Sequence, residues 1–170
     1  MTDTPTENTR KMIIFDLDGT LVDAYKAVSS SVNFTLRKVG CPLVDDETIK
    51  RKVGWGDKNL LLNFVPMQGI DRALSIYRRH HAQALKQGTK FLPGARKVIR
   101  KLKKHYALAI ASNRPTKFTR IILKYLGALT DFKFIVCGDK VKHPKPAPDI
   151  LHHILKRAAF VPSFTPWPST

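Results

Sequence analysis

Apolar residues follow two spacings along this chain. Met12 to Phe15 is a continuous apolar run, Tyr106 to Ala111 (YALAIA) is a second, and Phe132 to Val136 (FKFIV) is a third with partial alternation. Short runs bounded by polar residues read as buried strands. Between and after them, apolar residues recur every three or four positions, which is the spacing of one helix face. Ala95 to Leu102 is such a segment. Phe118, Ile121, Ile122, Tyr125 and Leu126 form another, with Gly127 placed to end it. Ile150, Leu151, Ile154, Leu155 and Ala158 give a last helix. Strands alternating with helices predict an α/β fold with a parallel, Rossmann-like sheet.

The region from about 24 to 88 differs, because it carries helical spacing and no convincing strand. Val28, Val32, Leu36 and Val39 predict one helix that stops at Gly40. Asp45 or Asp46, Asp57 and Asp71 are placed to cap three more, since a carboxylate can accept from the free N–H groups of a first turn. Leu74, Tyr77, His81, Ala84 and Leu85 share one face of the last of these. The expected organisation is a disordered polar tail over 1–10 and a core over 11–22 and 89–157. An all-helical insertion covers 23–88, after the first strand. Residues 158–170 are expected to be irregular, because Pro162, Pro166 and Pro168 each lack a ladder donor. No internal repeat is present.

Composition narrows the class. At 170 residues, 43% hydrophobic and 25% charged, the chain can bury a core and reads as globular. It has no long apolar run and no apolar leader, so a cytoplasmic protein without membrane partners is expected. Cys41 and Cys137 fit no zinc spacing and read as reduced thiols. The net charge of +17 favours anionic partners. Its densest stretch, ARKVIRKLKKH over 95–105, keeps Val98, Ile99 and Leu102 on one face, so the basic residues read as a solvated outer face rather than a nucleic-acid footprint.

Chemistry gathers where the predicted strands end, which is where parallel sheets bind ligands. The first strand runs into Asp16, Leu17, Asp18, Gly19 and Thr20; the second into Ser112, Asn113 and Arg114; beyond the third lies VKHPKPAPD with Lys145. Two carboxylates two residues apart on extended chain point the same way. Taken singly, each has a plainer reading: a polar turn for the aspartates, an N-cap for Ser112, a solvated loop lysine for Lys145. The pairs His80-His81 and His152-His153 are adjacent on helices, about 100° apart, and chelate poorly.

Together, FDLDGTLVD (15–23), IASN (110–113) and KPAPD (145–149) resemble the haloacid dehalogenase (HAD) superfamily of hydrolases, in its phosphoglycolate-phosphatase-like branch with a helical cap. LPGARKVIRKLKKHYALAIASN follows the same branch, and the resemblance runs over roughly 12–157. It implies a Mg2+-dependent phosphatase acting on a small phosphomonoester. Asp16 would be the nucleophile that forms an aspartyl-phosphate, and Asp18 the general acid and base. Ser112 and Lys145 would bind the phosphoryl group. Asp16 and Asp18, the latter through its backbone carbonyl, would ligate the metal. Gly19, Thr20, Asn113 and Arg114 would border the substrate, with Gly54 of the cap loop Gly54-Trp55-Gly56. An aspartate at position 18 favours phosphoryl transfer over dehalogenation, because a halide needs no proton to leave.

The family's fourth, acidic motif has no counterpart, since Asp149 is the last acidic residue. Weak Mg2+ binding and reduced turnover are therefore expected. In the family's strand order, 5-4-1-2-3, strands four and five would be missing. That leaves a core truncated to about three strands, with the first at an edge that a homodimer would cover. A non-catalytic phosphate-binding relic using Ser112 and Lys145, or a charge-driven nucleic-acid binder, are the alternatives at this point.

Overall fold

The computed structural model describes residues 11–158. The expected tails over 1–10 and beyond Ala158 lie outside these residues. The chain opens with β1 (Met12–Phe15) and β2 (Val22–Asp23). Four helices follow: α1 (Tyr25–Val39), α2 (Asp46–Arg51), α3 (Asp57–Leu62) and α4 (Ile70–Ala84). Then come β3 (Lys90–Phe91), α5 (Ala95–Leu102), β4 (Ala107–Ser112), α6 (Thr116–Tyr125), β5 (Phe134–Cys137) and α7 (Asp149–Arg157).

β1, β4 and β5 form a parallel sheet in the order β1-β4-β5, so β1 lies at an edge among the described residues. Its register sets Phe15 opposite Ile110, and Ser112 opposite Cys137. The strand ends that carry polar residues are therefore side by side. Alternation along β4 splits the core in two. Leu108 and Ile110 pack on one face with Ile99, Phe118, Ile122 and Leu123. Ala109 and Ala111 pack on the other with Val136, Ile150 and Ile154.

β2 and β3 pair antiparallel where the chain leaves for the helices and returns. This ribbon was not expected, because two residues are too few to show a period. Between its strands, the four helices hold a separate apolar cluster that includes Val28, Val32, Leu36, Ile49, Leu61, Ala73 and Tyr77. Gly40 ends α1 in the left-handed conformation at φ 74°, which a side chain would disfavour. Of the expected aspartate caps, only Asp45 acts as one, accepting from the Thr48 N–H at 2.8 Å. Asp57 instead sits inside α3, where Arg78 grips both of its oxygens at 2.7 and 3.1 Å. Asp71 lies in the first turn of α4 behind Gly69, without a capping bond.

Candidate active site

Beyond β1 the alternation of extended chain continues for three residues. Leu17 is fully buried in the core, and Asp16 and Asp18 on either side of it both line one cavity. The turn after them is tight: the N–H groups of Leu21 and Val22 both donate to the Leu17 carbonyl, at 2.9 and 3.1 Å. Gly19 supplies a φ of 74° there. Gly19 and Thr20 are exposed members of that turn and are not among the residues lining the cavity.

At the end of β4, buried Ser112 accepts from the Arg114 backbone N–H at 3.1 Å, which leaves its own hydroxyl proton to donate. The Asn113 side chain joins three segments. Its Oδ1 accepts from the Lys145 N–H at 2.8 Å, and its Nδ2 donates to the carbonyls of Lys145 at 2.9 Å and Gly54 at 3.0 Å. Lys145 is thereby held by its backbone. Its Nζ reaches Asp16 Oδ1 at 2.6 Å and donates to the Ala111 carbonyl at 3.0 Å. These residues surround a cavity of about 240 Å³, which Gly54 and Gly56 border from the helical side.

The Arg114 side chain makes three polar contacts in the site. Its Nε and Nη2 donate to the two oxygens of Asp18 at 2.9 and 2.7 Å, and Nη1 lies 2.8 Å from His81 Nε2. A guanidinium has no lone pair to offer, so Nε2 is the acceptor and the His81 proton sits on Nδ1. From there it donates to Ser31 Oγ at 3.1 Å, and the Ser31 hydroxyl donates to the Ala27 carbonyl at 2.7 Å. The chain of donors thus runs from the sheet into α1 and α4.

Burial, then the neighbouring Arg114 charge, drives the His81 pKa down to about 3, so the ring is neutral. For Arg114 burial disfavours the charge, but the Asp18 carboxylate outweighs it and raises the pKa further. Burial likewise pushes the Tyr77 hydroxyl above its ordinary range.

His81 and Tyr77 border the cavity and were absent from the site read in the sequence. Their signal was present. Position 81 falls on the apolar stripe of α4 with Leu74 and Tyr77, and a polar side chain on a buried stripe needs a partner.

The donors available to a cation are few. Asp16 has one carboxylate oxygen beyond the one facing Lys145, and the Asp18 carbonyl is a second hard oxygen. Among the described residues no cluster of three or more His, Cys, Asp or Glu side chains could hold a metal. Asp139, near in sequence to the loop, is occupied elsewhere: one oxygen accepts from both the N–H and the hydroxyl of Thr116, at 2.9 and 2.7 Å. The donor set suits Mg2+ only in that this ion keeps several waters and takes one or two carboxylates together with phosphate oxygens.

Comparison with known proteins agrees with the strand-end arrangement. Residues 13–165 match the model of the haloacid dehalogenase-like hydrolases. A phosphoglycolate phosphatase of Pseudomonas syringae pv. syringae is 32% identical over 158 residues, covering 87% of this chain and 58% of that protein. The chain therefore spans less than two thirds of that relative's length. A phosphoglycolate phosphatase of Colwellia psychrerythraea is 31% identical, with 87% of this chain and 70% of the relative covered. The crystal structure of a predicted phosphoglycolate phosphatase from Haemophilus somnus shares the fold at a TM-score of 0.83 and 22% identity, covering 91% of this chain and 74% of that one. With its aspartate pair, serine and lysine at adjoining strand ends, the chain belongs to the haloacid dehalogenase-like hydrolase family, in the phosphoglycolate-phosphatase-like branch.

Proposed function

We propose that the protein is a phosphatase that hydrolyses a small phosphomonoester of the phosphoglycolate kind. The observation that carries this reading is the contact between Lys145 Nζ and Asp16 Oδ1 at 2.6 Å, made across 129 positions of sequence. An ammonium on a carboxylate at the mouth of a cavity orients the nucleophile and offsets the charge of an incoming phosphate. The relatives in Pseudomonas and Colwellia, both phosphoglycolate phosphatases, support the same substrate class.

In this reading Asp16 attacks phosphorus, and the ester P–O bond breaks as Asp18 gives a proton to the departing oxygen. Water then attacks the aspartyl-phosphate, Asp18 takes a proton from it, and the P–O bond to Asp16 breaks to release phosphate. The Ser112 hydroxyl donates to a phosphoryl oxygen, while Lys145 stays on the charge that develops there. Arg114, Asn113 and Gly54 border the rest of the substrate. Residues 23–88 act as a cap over a core of 11–22 and 89–157, excluding water from the cavity.

Asp16 and the Asp18 carbonyl would hold Mg2+, which supplies charge neutralisation between nucleophile and phosphate. Both cysteines are free, which is in keeping with a cytoplasmic protein. Among the described residues no helix is long and apolar enough to cross a membrane.

The test is phosphate release from 2-phosphoglycolate with Mg2+ present. Turnover by the wild type that disappears in Asp16→Asn is expected. A wild type without turnover, or a variant that keeps it, overturns the proposal.

A further inference from the structure

We propose that Arg114 is an exchangeable clamp. In the empty site it holds Asp18, and on binding it passes to a second anionic group of the substrate, which frees Asp18 to carry a proton. The inference rests on the phosphatase reading and specifies how the site selects its substrate.

Both oxygens of Asp18 accept from Arg114, at 2.9 and 2.7 Å. A carboxyl gripped on both oxygens has no free edge from which to hand a proton to a departing oxygen. Asp18 therefore has to leave the guanidinium before it can act. Arg114 cannot then be left alone: its side chain is only 8% exposed, and an unpaired buried charge is strongly unfavourable.

Its other polar neighbours supply no countercharge. His81 accepts from Nη1 but is neutral, and Ser112 Oγ meets only the Arg114 backbone. Of the other acids lining the cavity, Asp16 is paired with Lys145 and Asp57 is held by Arg78 through both oxygens. Hence the replacement anion has to arrive with the ligand.

The phosphoryl group faces Lys145 and Ser112, so the group that takes Arg114 is a second anion on the substrate, such as a carboxylate. His81 contributes by position. Fixed through Ser31 to α1, it keeps the guanidinium in the cavity wall during the exchange without competing for its charge. Substrate selection and release of the acid thereby become one event. An ester with an uncharged tail fills the phosphoryl end and leaves Asp18 occupied.

The exchange is read by equilibrium binding in the Asp16→Asn background, where no covalent step intervenes. The probes are 2-phosphoglycolate and ethyl phosphate, measured by calorimetry. Removing the competitor with Asp18→Asn raises the fraction of Arg114 free to bind. It should tighten 2-phosphoglycolate about tenfold more than ethyl phosphate. Adding Arg114→Gln should abolish that difference. Equal gains for both ligands overturn the proposal. So does a preference that survives Arg114→Gln.

Should Arg114→Gln not fold, Arg114→Lys keeps the charge without the two-pronged geometry, and an undiminished preference in it has the same force. Absence of hydrolysis by the wild type would sink the phosphatase reading while leaving this binding cycle readable. Failure of the cycle beside normal hydrolysis would sink the exchange alone.

Discussion

Arg114 and His81 meet where the sheet ends and the helical insertion begins, with guanidinium Nη1 2.8 Å from ring Nε2. One residue follows β4 and the other belongs to α4, 33 positions apart. The contact works only while the ring is neutral, because an imidazolium has no acceptor and would face a second cation.

That dependence has a pH signature. The His81 pKa is driven from an ordinary 6.5 to about 3, first by burial and then by Arg114. The unfolded chain takes up a proton near 6.5 and the folded chain does not. Stability is therefore complete above that value and falls as pH drops towards 3. Between pH 7 and pH 5 the loss assigned to His81 is about 2 kcal/mol. Gln can accept from Arg114 and donate to Ser31 without titrating. In urea unfolding, His81→Gln should therefore lose about that much less than wild type over the same interval. Equal losses would contradict the neutral ring.

Lys145 should matter to rate far more than to folding. Its ion pair with Asp16 is about one-third exposed on both sides, so screening leaves a contribution to stability of roughly 1 kcal/mol or less. Loss of a cation from a phosphoryl site lowers turnover by about a hundredfold or more. Lys145→Met is expected to melt close to wild type and to release phosphate at that reduced rate. A large fall in melting temperature would show a structural role instead.

For Asn113 two substitutions should rank in an unusual order. Ala removes three hydrogen bonds, at a net cost of about 1 kcal/mol each. Asp is the closer shape, yet it keeps only the bond from the Lys145 N–H and sets a carboxylate oxygen against two carbonyls. Asn113→Asp should therefore lower kcat more than Asn113→Ala. Steady-state kinetics at pH 7 checks the order, and the reverse order would remove Asn113 as the residue that positions Lys145.

Magnesium should bind weakly when substrate is absent. Asp16 and one backbone carbonyl leave most of the coordination to water, so half-saturation is expected in the millimolar range, tightening when inorganic phosphate is added. Calorimetric titration with and without phosphate measures both. Micromolar binding to the free protein would reveal a further ligand.

Much of this arrangement could be read from residue order. Asp16, Asp18, Ser112 and Lys145 announce themselves because each follows a strand or lies in a proline-marked loop, and parallel strands bring such ends together. Pairing choice was harder to read. Asp57 looks like a helix cap, but Arg78, 21 positions on, offers two bonds from a charged guanidinium where a cap offers one from an uncharged N–H. The partner of Arg114, Asp18, lies 96 positions earlier, and no local spacing encodes that contact. His81 was hidden for a different reason. The pair His80-His81 invites a metal reading, whereas the informative fact was its position on a buried helical stripe.

One amide carries a mechanical implication. Asn113 Nδ2 is shared between the carbonyls of Gly54, in the insertion, and Lys145, in the loop after β5. Were the insertion to swing away, that nitrogen would give up one of its two anchors, while both Asn113 bonds to the Lys145 backbone would stay in place. The same side chain would then serve as hinge pin to the insertion and as fixed bracket to the lysine loop.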